Sequence, residues 1–135
     1  MGVPTREKVV ALVEDDQSLC RALARLLTAG GIRSRCYSSA EAFLEEGPDS
    51  APGCLVLDLQ LTGMSGFDLQ RELIGRGRFI PTIFITADDS PEAREQATSV
   101  GCEGFFLKTD PGHAVLWAVR RVLGAVPAAP CAGVE

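Results

Sequence analysis

Residues 54–66 read C-L-V-L-D-L-Q-L-T-G-M-S-G, an apolar run that ends on the carboxylate of Asp58 just before a loop with two glycines. The run from Cys54 to Leu57 leaves no solvent face, which is the pattern of a parallel-sheet strand covered by helices on both sides. Ligands of such sheets sit beyond the carboxyl ends of the strands. An aspartate there is costly to ionise unless a positive group or several hydrogen bonds meet it. The rest of the chain is expected to supply that partner.

Outward from this strand, strand and helix patterns alternate. Residues 8–14, K-V-V-A-L-V-E, form a β-rich run ending in acid, and Ser18 to Ala29 follow with Leu19, Leu23, Leu26 and Leu27 at helical spacing. Gly30-Gly31 stops that helix, Ile32 to Tyr37 reads as a short strand, and Ser38-Ser39 caps a helix reaching about Gly47. After Asp58, Gly66 to Ile74 reads as a third helix closed by G-R-G, and Phe79 to Thr86 as a fourth strand with Pro81 near its start. Ser90 and Pro91 open a helix that stops near Gly101, Gly104 to Lys108 is a fifth strand, and Pro111 to Leu123 a fifth helix. Five βα units in this order predict right-handed crossovers and a doubly wound α/β fold with a five-stranded parallel sheet. Residues 1–6 read as an N-terminal extension, 7–124 as one folded domain, and the proline-rich 125–135 as a linker or disordered tail.

Composition narrows the function classes. At 135 residues the chain can bury a full core without disulfides or a structural metal. Its net charge of -5, with no basic run, lacks the electrostatic footprint of a nucleic-acid binder. No signal-peptide pattern and no apolar window of about eighteen residues is present, so a cytoplasmic protein without a membrane partner is the expectation. The five cysteines, at 20, 36, 54, 102 and 131, form no C-x-x-C pair and read as reduced, mostly buried thiols. His113, near the start of the last helix, is assigned no role.

Polar residues recur at one place in this architecture. Glu14, Asp15 and Asp16 follow the first strand, Asp58 ends the third, Thr86 the fourth and Lys108 the fifth, all at the same sheet edge. Converging carboxylates repel one another and call for a hard divalent cation, Mg²⁺ or Mn²⁺. Lys108 offers a fixed positive charge, and the Thr86 hydroxyl can donate to an anion's oxygens. Metal, lysine and donors together suit a phosphoryl group.

The E-D-D, D-x-x-x-T-G-M-S-G, T-A and K positions resemble the receiver domain of two-component response regulators, over roughly residues 7 to 124. The resemblance implies a flavodoxin-like sheet in the order 2-1-3-4-5. It also implies that Asp58 accepts a phosphoryl group from a sensor histidine kinase. Asp15, Asp58 and the Gln60 backbone carbonyl would bind the metal, with Glu14 acting through water. Lys108 would pair with Asp58 and then bind a phosphoryl oxygen. Thr86 would turn toward the acyl phosphate and Phe105 would swing inward, remodelling the face made by the fourth helix, fifth strand and fifth helix. That face would signal to an output domain or downstream protein, or pair with a second copy when phosphorylated. Because E-D-D holds two acidic pairs, the Glu14-Asp15 register is preferred: it leaves Leu19, Leu23 and Leu26 as the buried helix face and Asp16 on the rim.

Thr109 and Thr62 stand where receivers generally carry proline. A cis bond before Thr109 would cost roughly 2.5 to 4 kcal/mol, so the Lys108-Thr109 bond is either trans with an altered loop or a strained cis bond. Phe105 replaces a frequent tyrosine. Gln60 and Asp88 flank the line of water approach and are expected to set the phosphate's lifetime, Asp88 by orienting or by repelling water. Two alternatives remain: an unphosphorylated pseudo-receiver interaction module, and an aspartyl-nucleophile phosphatase of the haloacid-dehalogenase type, which wants an acid where Gln60 stands. The wording C-L-V-L-D and P-T-I-F-I-T resembles receivers attached to LuxR-type DNA-binding domains.

Overall fold

A computed structural model describes residues 7–46 and 52–124. Five parallel strands, β1 (Glu7–Val13), β2 (Arg33–Tyr37), β3 (Pro52–Asp58), β4 (Thr82–Thr86) and β5 (Gly104–Leu107), form one sheet in the order β2-β1-β3-β4-β5. Helices α1 (Gln17–Ala29), α2 (Ala40–Glu45), α3 (Gly66–Gly75), α4 (Pro91–Val100) and α5 (Gly112–Leu123) fill the crossovers. This is the predicted doubly wound architecture and strand order. The proposed extension at 1–6 and tail at 125–135 lie outside the described residues, as do positions 47–51.

Alternating side chains divide the interior into two cores. Val10, Leu12, Cys54, Val56, Ile83 and Ile85 meet Cys20, Leu23 and Leu27 of α1 and Val115 and Val119 of α5. On the other face Ala11, Val13, Leu55, Leu57 and Phe84 meet Phe43 of α2, Leu69 and Leu73 of α3, and Ala93 and Ala97 of α4. The central strands need apolar residues at every position because both faces are covered. That is why the run before Asp58 is unbroken.

Several boundaries differ from the sequence reading, each for a local reason. β4 begins at Thr82 rather than Phe79, since Pro81 has no N–H for the ladder; its carbonyl still accepts from the Leu55 N–H at 2.9 Å. Pro111 is the N-cap of α5, which starts at Gly112. The buried face of α1 is Cys20, Leu23 and Leu27, with Leu19 and Leu26 only half-buried, because they line an open groove between α1 and the start of α5. Phe105 and Phe106 are half-buried, since β5 is an outer strand. Cys20 and Cys54 are buried and Cys102 is intermediate, but Cys36 is exposed. His113 is exposed, and no described helix is long and apolar enough to cross a membrane.

Candidate functional site

Backbone geometry divides the three acids after β1. The Glu14 N–H donates to the Tyr37 carbonyl at 3.0 Å, so the chain continues along β2 for one more residue and the Glu14 side chain points inward, 1% exposed. Asp15 is exposed at the rim. Asp16 is used by the helix: its Oδ1 accepts from the Ser18 and Leu19 N–H groups at 3.0 and 3.3 Å, capping α1. Carboxylate oxygens of Glu14, Asp15 and Asp58 lie within 4.8 Å of one another.

Asp58 is fully buried at the end of β3. Its Oδ1 accepts from the Gln60 N–H at 2.9 Å and its Oδ2 from Lys108 Nζ at 2.9 Å. These are the partners its position demanded. Lys108 Nζ also lies 3.1 Å from Glu14 Oε1 and 3.3 Å from Oε2, while Oε2 accepts from the Asp16 N–H at 2.9 Å. Glu14 Oε1 is buried and, despite the nearby ammonium, makes no hydrogen bond of good geometry.

One cation serves two carboxylates, and the pocket's protonation reflects that shortage. Burial pushes the Glu14 carboxyl up to about 7; the Asp16 N–H opposes this, the Asp58 charge adds to it, and Lys108 offsets part of it. Burial pulls Lys108 down, but its hydrogen bonds and charge interactions with Asp58 and Glu14 outweigh this and leave it above its ordinary value. An orphaned buried oxygen within a three-carboxylate cluster of hard donors fits a divalent cation of the Mg²⁺ or Mn²⁺ type.

Lys108 is placed without the proline that the resemblance led one to expect. Its N–H donates to the Thr86 carbonyl at 2.8 Å, the Leu107 N–H donates to Asp110 Oδ2 at 2.8 Å, and the Asp110 N–H returns to the Leu107 carbonyl at 2.9 Å. This closed turn aims the lysine. No cis peptide bond occurs among the described residues, so the Lys108-Thr109 bond is trans.

Thr86 is fully buried at the end of β4, with its Oγ1 accepting from the Asp88 N–H at 3.0 Å; Asp88 Oδ1 in turn accepts from the Ser90 N–H at 2.9 Å. Phe105 lies on β5 with the Arg94 guanidinium 4.8 Å from its ring centroid. Gln60 is exposed. Three supports were not legible in the sequence. Glu41 of α2 accepts from the Met64 N–H at 2.9 Å, and the Thr62 hydroxyl reaches Asp15 Oδ2 at 3.4 Å. Gly66 packs so closely that a Cβ would stand 2.4 Å from the Asp58 carbonyl oxygen. The Thr-Gly-Met-Ser-Gly wording marked a loop but not these contacts.

The family description "Response regulator receiver domain" matches residues 10–118. The chain belongs to this receiver family. Its relatives include the response regulator protein TmoT of Ectopseudomonas mendocina, 38% identical over 90% of this chain and 56% of that protein. The transcriptional regulatory protein FixJ of Azorhizobium caulinodans is 33% identical over 85% of this chain and 54% of its own length. This receiver thus spans about half the length of the curated relatives it matches. Among solved structures, a crystal structure titled FixJ-N superposes with a TM-score of 0.80 at 31% identity, covering 90% of this chain and 98% of the other. A receiver protein from Burkholderia phymatum gives 0.76 at 36% identity, covering 87% and 96%.

Proposed function

We propose that this receiver takes a phosphoryl group from a histidine kinase onto Asp58, and that its signalling state is set by that modification. The observation carrying the reading is the buried Asp58 carboxylate, held by Lys108 at 2.9 Å with Glu14 and Asp15 beside it. In the transfer, an Asp58 oxygen attacks phosphorus, the P–N bond to the donor imidazole breaks, and the imidazole leaves with that electron pair. Such transfer rests mainly on positioning and charge neutralisation. Lys108 holds Asp58 before reaction and, once that charge becomes an acyl phosphate, donates to a phosphoryl oxygen. The buried Thr86 hydroxyl is a second donor at the same edge.

Asp15, Asp58 and the Gln60 carbonyl would hold a Mg²⁺ or Mn²⁺ ion, with Glu14 acting through water; when bound, the ion neutralises charge on the transferring group. Gln60 and Asp88 are the rim residues placed to tune hydrolysis. Thr86 and Phe105 would carry the change to α4, β5 and α5, which face an output domain, a downstream protein or a second copy. Relatives named as transcriptional regulatory proteins, and the resemblance to receivers of LuxR-type factors, support transcription as the output of a longer protein.

The test is intact-mass spectrometry after incubation with a small phosphodonor and Mg²⁺, beside Asp58→Asn. One base-labile phosphate that requires Mg²⁺ and vanishes in the variant is expected. Absence of any adduct, together with no Mg²⁺ binding, would instead mark a pseudo-receiver.

A further inference from the structure

Outside the acid pocket, the sequence leaves two cysteines that the topology brings together. Cys20 sits on α1 and Cys36 on β2, where Cys36 is the ladder partner of Leu12. Laterally paired residues point to the same face, so Cys36 shares the α1 side of the sheet with Leu12. The Cys20 thiol points at the Leu12 carbonyl at 3.9 Å, and the Cys36 thiol lies 3.6 Å from the Cys20 carbonyl oxygen. The Cys36 thiol therefore lies against the backbone of the residue that carries the other thiol. Cys20 is completely buried, whereas Cys36 is exposed.

We propose that Cys20 and Cys36 form a redox-active pair, a modification site that closes to an intramolecular disulfide when the protein meets a hydroperoxide. This goes beyond phosphotransfer and does not depend on it. Cys36 is the sulfur that meets the oxidant, because it alone of the two is reachable from solvent. Burial pushes the Cys20 thiol up, and the neighbouring Cys36 and the Glu14 charge add to this, so Cys20 stays a neutral thiol until its partner is activated.

The steps balance with hydrogen peroxide as oxidant. The Cys36 thiolate attacks one peroxide oxygen; an S–O bond forms, the O–O bond breaks, and hydroxide leaves to become water. Cys20 sulfur then attacks the Cys36 sulfenic sulfur. The S–S bond forms, the S–O bond breaks, and the hydroxyl leaves as a second water with the Cys20 proton. Two thiols have lost two electrons and the peroxide has gained them. The bond ties the first turns of α1 to the end of β2, beside the strand end that carries Glu14.

The experiment is peroxide treatment of the wild-type protein, alkylation under denaturing conditions and peptide mapping. Trypsin cuts after Arg21 and Arg35 and so separates the two cysteines; because its 36–71 peptide also holds Cys54, digestion after Glu41 with Glu-C is added, and a link between the Cys20 peptide and residues 36–41 is diagnostic. The expected result is a Cys20–Cys36 cross-link that dithiothreitol reverses, with a melting temperature several degrees above that of the reduced protein. Cys36→Ser should lose both the link and the shift, with Cys20 still alkylated. Three results overturn the proposal: Cys36 over-oxidised while Cys20 stays free, Cys36 linked to Cys131 or to a second chain, or both thiols intact at peroxide levels that oxidise a cysteine peptide.

Discussion

Glu14 sits almost wholly buried between a lysine and an aspartate, and its carboxyl is pushed from 4.5 up to about 7. Between those values the folded, metal-free protein keeps a proton that the unfolded chain has released. Stability contributed by this group therefore falls as pH rises from about 4.5 to about 7 and is level above that, a loss of about 3 kcal/mol at most. Lys108 does not mask the effect. Its value is raised, so its contribution is complete below the ordinary 10.5 and is lost only as pH rises through the higher folded value. Urea unfolding in EDTA should show wild type weakening from pH 5 to pH 8 and Glu14→Gln with a much flatter profile. Mg²⁺ should act in the opposite direction. A cation prefers the deprotonated cluster, so its affinity by calorimetry should rise as pH passes through about 7, with proton release, and should fall most in Asp15→Asn.

At the scale of elements, the loop after β3 shows what holds the site's shape where no proline stiffens it. Gly66 starts α3 against the Asp58 carbonyl, and a methyl group at 2.4 Å would meet backbone rather than a flexible side chain. Gly66→Ala should cost about 1–3 kcal/mol in chemical denaturation and weaken Mg²⁺ binding, because the loop that carries Gln60 must shift. Glu41→Ala removes an exposed acceptor from Met64, so its cost should be near 1 kcal/mol or less. These contacts also mark the limit of the sequence reading. The five βα units and the residues at the strand ends were legible, because a strand buried on both faces is written as an unbroken apolar run and β-strand ends collect polar groups. The Glu41 clamp was not. It joins residues 23 positions apart and exists because β1 lies between β2 and β3, a fact of topology rather than local pattern. The half-exposure of Leu19 and Leu26 was missed for a related reason, since the groove they line is made with α5, far along the chain.

For the whole molecule, the proposed function requires a charge change at Asp58 to reach the α4, β5 and α5 face. Phe105 is half-buried on the outer strand, and the Arg94 guanidinium covers its ring at 4.8 Å while forming an ion pair with Asp89 at 2.9 Å. An inward swing of Phe105 gives up the cation–π contact, which at an exposed site amounts to about 0.5–1 kcal/mol. In the proposed switch, phosphorylation would have to overcome that difference through Thr86 and the repacking of β5 and α4. On that reading Arg94 would restrain the resting state, since Phe105 has no hydroxyl to add a polar contact of its own. Arg94→Ala should shift the two-state balance toward the inward form by roughly 2–5-fold. The check is hydrogen exchange over residues 91–107 during titration with beryllofluoride and Mg²⁺: the variant should reach half-conversion at a 2–5-fold lower mimic concentration. An unchanged midpoint would mean that Phe105 does not move against Arg94. Sedimentation on the same samples separates switching from pairing, since a monomer in both states with altered exchange would leave the α4, β5 and α5 face as a docking surface for another partner and not for a second copy.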